Sequence, residues 1–138
     1  MADTYNDPFK GVWHYRSFLN DAGNTTPDNL LFGEGMFTFT ASPVGTLAGT
    51  ADFGGGLTMK FRGATALGNP MSLRFQGTGT GTTNKDWVYD YVGWLVPAWP
   101  NGVNQVEAIV GSVVRTMPHN HGQAPAGVVV SFYAVRKS

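Results

Sequence analysis

Leu57-Thr58-Met59-Lys60-Phe61-Arg62 and Met71-Ser72-Leu73-Arg74-Phe75-Gln76 alternate strictly between apolar and polar side chains. Gly68-Asn69-Pro70, between them, is a turn sequence. A period of two puts Leu57, Met59 and Phe61 on one face of a pleated strand, with Thr58, Lys60 and Arg62 on the other. The two runs therefore read as neighbouring antiparallel strands with one buried face.

The same alternation extends in both directions. It predicts strands over 10–19, 31–41, 45–53, 57–65, 71–78, 86–96, 105–116 and 127–136, divided by turn residues such as Ser42-Pro43 and Gly54-Gly55-Gly56. The 19 glycines and 8 prolines oppose a helical reading, because glycine costs about 1 kcal/mol in a helix interior and proline about 3. Eight strands joined mostly by short turns predict an all-β, eight-stranded, antiparallel up-and-down β-barrel. A two-sheet β-sandwich or jelly roll is the alternative. Closure favours the barrel because it removes both sheet edges. At 138 residues the chain is expected to be one domain, 1–138, with 1–9 as a flexible N-terminus.

Charge narrows the function classes. Nine basic and nine acidic residues cancel and are scattered, so no strong field draws the chain to nucleic acid or a membrane surface. Cysteine is absent, which excludes disulfides and thiolate chemistry. The polar start has no signal-peptide character, and a soluble, cytoplasmic protein is expected. No phosphate loop, dinucleotide fingerprint, nucleophile elbow or zinc helix is present, and no cofactor is expected. The tract Gly77-Thr78-Gly79-Thr80-Gly81 reads as a mobile hairpin loop.

Strand one begins Gly11-Val12-Trp13. This tripeptide, with the strand count, resembles the calycin superfamily: lipocalins, fatty-acid-binding proteins and avidins. The glycine- and threonine-rich hairpins and aromatic sixth strand look more like avidin than lipocalin. The resemblance implies a tryptophan plugging the closed end of a barrel that holds a small ligand. It does not extend to biotin, whose aromatic pattern is not in register. Small β-barrel isomerases and cyclases, such as those resembling allene oxide cyclase, are a second analogy, through architecture alone.

If Trp13 points inward, so do Tyr15, Ser17 and Leu19, leaving His14 and Arg16 in solvent. The expected ligand-binding residues are Trp13, Tyr15, Phe37, Phe39 and Phe61, together with Phe75, Trp87, Tyr89 and Tyr91. Their rings suit a hydrophobic or aromatic molecule, and they equally suit a packed core. Strands six to eight are apolar on both faces, which predicts a homo-oligomer interface on their outer side.

Tyr89, Asp90, Arg115, His119 and His121 are the candidate acid–base residues for an alternative reading, a cofactor-independent isomerase, cyclase or lyase. Asp90 lies on the outward face of its strand. It is expected to pair with Arg74 or Arg115 rather than to act in catalysis. Glu34 and Glu107 are expected to be solvated or paired with cross-strand cations. His119-Asn120-His121 lacks a third metal ligand nearby in sequence, so no metal is expected. That segment reads as a solvated loop, unless it rims the barrel mouth, where a histidine would meet the pocket. Trp99, in a stiff proline-bounded turn, reads as a lid or an oligomer contact, and exposed Trp94 and Trp99 leave a lectin-like or structural oligomer as a third reading.

Overall fold

The structure, a computed structural model, describes residues 7–20, 30–98, 101–103, 105–119 and 124–137. Its strands are β1 (Gly11–Leu19), β2 (Leu31–Phe39), β3 (Thr46–Asp52) and β4 (Thr58–Ala66), then β5 (Ser72–Gly79), β6 (Val88–Val96), β7 (Ala108–Arg115) and β8 (Val129–Arg136). Each pairs antiparallel with the next, and β8 returns to β1, closing the barrel. The up-and-down barrel is therefore the fold, and the sandwich is not. No helix among the described residues is long and apolar enough to cross a membrane.

The expected alternation sets which side chains fill the barrel. Trp13, Tyr15 and Ser17 are buried while His14 and Arg16 are exposed. On β4 and β5, Met59, Phe61, Leu73 and Phe75 are buried while Lys60, Arg62, Arg74 and Gln76 face solvent. An eight-stranded barrel is narrow, so its rings must interlock. Tyr15 stacks on Phe37 with centroids 4.2 Å apart, and Phe75 stacks on Tyr91 at 4.6 Å. Phe61 meets Phe37 edge-on at 4.6 Å and Phe75 at 4.8 Å. Each such pair adds about 0.5–1.5 kcal/mol beyond the area it buries.

The rings fit because inward glycines stand beside them. A Cβ on Gly77 would lie 2.7 Å from Met59 Cε and 2.9 Å from Phe61 Cε1. This corrects the reading of 77–81 as a mobile loop. Gly77, Thr78 and Gly79 lie within β5, paired to β4 and β6. Beyond them Thr80 N–H donates to Thr58 O at 2.9 Å, and Asn84, fully buried, donates its amide to the same carbonyl at 2.8 Å. The glycines here provide room for packing.

One end of the barrel is sealed. Trp13 is fully buried, its indole N–H donating to Phe9 O at 2.9 Å. Arg136, its cross-strand partner, lays its guanidinium over the indole ring, 4.3 Å from the centroid. The same guanidinium donates to Glu107 Oε1 at 2.9 Å, to Lys10 O at 2.7 Å and to Pro8 O. Glu107 is thus paired with a cross-strand cation, as expected. Within the segment 7–9, Phe9 is fully buried and its N–H donates to Asp7 Oδ1 at 2.9 Å. Residues 1–6 lie outside the described residues.

Candidate functional site

At the opposite end the rings stop filling the barrel, and a cavity of about 350 Å³ remains. Its apolar wall is Phe32, Phe53, Leu57, Met59 and Trp87. Its polar lining comes from Tyr15, Ser17, Tyr89, Tyr91, Arg115 and His119, with Glu34 at the border. Alternation explains the strand residues: Ser17 follows Trp13 and Tyr15, and Arg115 follows Ile109 and Val113 on the inward face of β7. Tyr89 and Arg115 are direct cross-strand partners.

Three of these side chains form one chain of contacts. Arg115 Nε donates to Tyr89 Oη at 3.2 Å, and Tyr89 Oη lies 2.9 Å from His119 Nε2. Arginine can only donate, so Tyr89 accepts from Arg115 and keeps its own proton to give elsewhere. It donates either to His119 Nε2 or, when that nitrogen is protonated and itself donates, to a group in the cavity. The Arg115 guanidinium also lies 5.2 Å from the Phe32 ring centroid, and its Nη1 donates to Pro125 O at 3.3 Å.

His119 departs from the solvated loop expected of it. It is 5 % exposed and packs on Trp87 with centroids 5.1 Å apart. Reciprocal backbone hydrogen bonds with Ala124, both 3.0 Å, tie its segment into a bridge at the barrel mouth. His121 and Trp99 lie outside the described residues. No group of three or more metal-binding side chains occurs among the described residues.

Asp90 faces away from the cavity, and its expected ion pair is not formed. Oδ1 accepts from Gln76 Nε2 at 3.0 Å and Oδ2 from Thr116 Oγ1 at 2.6 Å. Gln76 is its direct cross-strand partner, whereas Arg74 stands opposite Val92 and Arg115 turns inward. Glu34 reaches across to Arg16 at 3.5 Å on the exposed surface.

Of the nine aromatic residues predicted to bind a ligand, Tyr15, Trp87, Tyr89 and Tyr91 line the cavity. Trp13, Phe37, Phe39, Phe61 and Phe75 are buried in the packed part of the barrel. Leu57, Met59 and Ser17, expected on inward faces, line the cavity too, as do Phe32 and Phe53, which the list of ligand-binding residues lacked. Ser17 carried a signal, its period-two spacing from Trp13. Phe53 carried the same signal, since it lies two residues after Ala51 at the end of the predicted strand over 45–53.

A larger hollow of about 790 Å³ lies on the outside, between residues such as His14, Arg16, Glu34 and Asp52. We assign the site to the smaller space because aromatic walls surround it and polar groups converge on it. Tyr15, Glu34 and Phe53 border both. β2 and β3 are paired only from Met36 to Phe39 on the β2 side.

Burial pushes the Tyr15 and Tyr91 phenols well above their ordinary value. Both therefore serve the cavity as neutral hydroxyls. A raised phenol keeps its proton in the native state after the unfolded chain has lost it, so stability is unaffected at neutral pH and falls as pH rises above about 10. In a spectrophotometric titration at pH 11, Tyr15 and Tyr91 should stay un-ionised until alkaline unfolding. Ionisation of either in the folded protein at that pH would contradict the burial.

No protein family matches the chain, and neither the curated proteins nor the solved structures contain a significant match.

Proposed function

We propose that the protein is a small-molecule-binding barrel that takes a compact aromatic or apolar ligand in the open-end cavity. The observation that carries this reading is the contrast between the two ends. Protein interiors pack to crystal-like density, and the sealed half obeys that rule. The open half leaves about 350 Å³ bounded by Phe32, Phe53 and Trp87, with hydroxyl and cationic groups facing it. A calycin-like assignment is supported by Gly11-Val12-Trp13 at the sealed end, where Trp13 plugs the barrel.

Gly33→Leu provides the test. A Cβ at Gly33 would stand 3.2 Å from Ser17 Oγ and 3.7 Å from Tyr15 Cε1, so a leucine side chain occupies the cavity. Indole should bind the unaltered protein in calorimetry, and Gly33→Leu should abolish that binding with the melting transition retained. Equal binding by both would overturn the assignment of the site.

A second reading is supported by Tyr89, held between Arg115 and His119. That arrangement suits proton transfer in a cofactor-independent isomerase, cyclase or lyase. Under it, Tyr89→Phe would lose turnover and keep ligand affinity; under simple binding, affinity alone would fall.

We also propose that the outer face of β6–β8 docks a second copy of the chain. Trp94 stands opposite Val110, and Val110 opposite Tyr133, forming one apolar row across three strands. Trp94 is 45 % and Val96 43 % exposed. Asp90 is the one charge among the outward positions of these strands. Sedimentation at micromolar concentration should report a dimer that Trp94→Glu dissociates, and a purely monomeric protein would overturn the docking.

A further inference from the structure

The polar groups of the cavity are not arranged for a purely apolar guest. Arg115 is partly buried against the Phe32 and Tyr89 rings. No carboxylate pairs with it among the described residues, where the ion pairs are Arg16–Glu34 and Arg136–Glu107. A guanidinium carries five N–H donors, and Arg115 gives one from Nε to Tyr89 and one from Nη1 to Pro125 O. A partly desolvated cation with donors to spare is a site for an oxyanion, which it holds through charge-assisted hydrogen bonds. Tyr89 can add its hydroxyl proton once His119 Nε2 donates to it.

Ser17 marks a second polar point. It is fully buried and lines the cavity beside the Tyr15 hydroxyl, and its Oγ makes no hydrogen bond of full geometry within the protein. A buried hydroxyl whose hydrogen bonds are incomplete is destabilising, and a polar atom of a ligand would complete them. Ser17 stands on β1 and Arg115 on β7, with β8 between them, so the two groups approach a guest from different walls.

Size sets the remaining limit. A water molecule occupies about 30 Å³, so the cavity holds a ligand of about a dozen non-hydrogen atoms. Long acyl chains do not fit, because Phe37, Phe61 and Phe75 close the barrel beyond it.

We infer that the cavity takes a compact aromatic carboxylic acid, its carboxylate held by Arg115 and Tyr89 and a second polar atom by Ser17. This rests on the small-molecule reading above. Calorimetry with 4-hydroxyphenylacetate and its neutral counterpart 4-hydroxyphenylacetamide tests it. The acid should bind the unaltered chain at least tenfold more tightly, and Arg115→Met should reduce that preference to near unity. Phenylacetate should bind several-fold more weakly than its hydroxylated form, a difference that Ser17→Ala removes. Acid and amide binding with equal affinity would overturn the inference, as would palmitate, which exceeds the cavity, binding more tightly than either.

The two readings fail differently. If indole binds and the acids show no preference, only the anionic ligand is wrong. If indole, acid and amide all fail to bind, the binding function itself is wrong. Should Arg115→Met fail to fold, the acid–amide comparison on the unaltered chain decides alone.

Discussion

Trp13→Ala is expected to lower stability by about 3–5 kcal/mol, the usual loss when a fully buried large aromatic is removed. Domains of this size are stable by only about 5–15 kcal/mol, so the variant will be marginal. Three losses coincide. The indole leaves a void at the sealed end, where it is fully buried. Phe9 O loses its donor, and Arg136 loses the ring beneath its guanidinium. Arg136 is the residue that ties the Pro8 and Lys10 carbonyls and Glu107 to β8, so the damage reaches the N-terminal segment. At roughly 4 °C per kcal/mol for a chain of this length, thermal melting should shift down by about 15 °C. Trp13→Phe keeps much of the packing and loses the N–H donor, so it should fall between the two. A Trp13→Ala protein melting within a few degrees of the original would contradict the plug.

Gly111→Ala should be nearly as damaging, although it adds a single methyl group. Gly111 pairs with Gly93 on β6 and Phe132 on β8. A Cβ there would stand 2.6 Å from Gly93 Cα and closer still to the Val92 carbonyl oxygen. Both obstacles are backbone, so relief requires β6 and β7 to separate. Overpacking of this kind costs about 1–3 kcal/mol and occasionally more, and the upper end applies where no side chain can rotate away. Gly45→Ala is the control for glycine loss without a clash, since its Cβ would meet nothing within 4 Å, although its φ of 85° adds local strain. Chemical denaturation should show a larger loss for Gly111→Ala, and the reverse order would contradict the close approach of β6 and β7.

Most of the barrel was legible because its strands report their own faces. Lys60 and Arg62 alternating with Met59 and Phe61 leave one orientation for β4. What alternation does not encode is depth along the barrel axis. Tyr15 and Phe37 are equally inward by period, and only the register of the closed sheet sets Tyr15 at the cavity and Phe37 in the packed half. Arg115 was readable in principle, since it continues the inward series of Ile109 and Val113, but a charge among valines suggests the outer face. His119 was legible as a candidate at the barrel mouth but its burial was not, because that depends on a loop bridge to Ala124 and on the Trp87 ring. The glycine tract misled because small residues serve both loops and crowded interiors, and the difference lies in the Met59 and Phe61 side chains across the strand.

The central claim is that the open end of this barrel is a ligand cavity. Backbone amide shifts in heteronuclear NMR, followed while indole is added, test it most directly. Saturable shifts centred on Ser17, Phe32, Gly33, Trp87, Tyr89 and Arg115, with Trp13 and Arg136 unmoved, are the predicted result. Shifts confined to the outer faces of the strands, or none at millimolar indole, would contradict it.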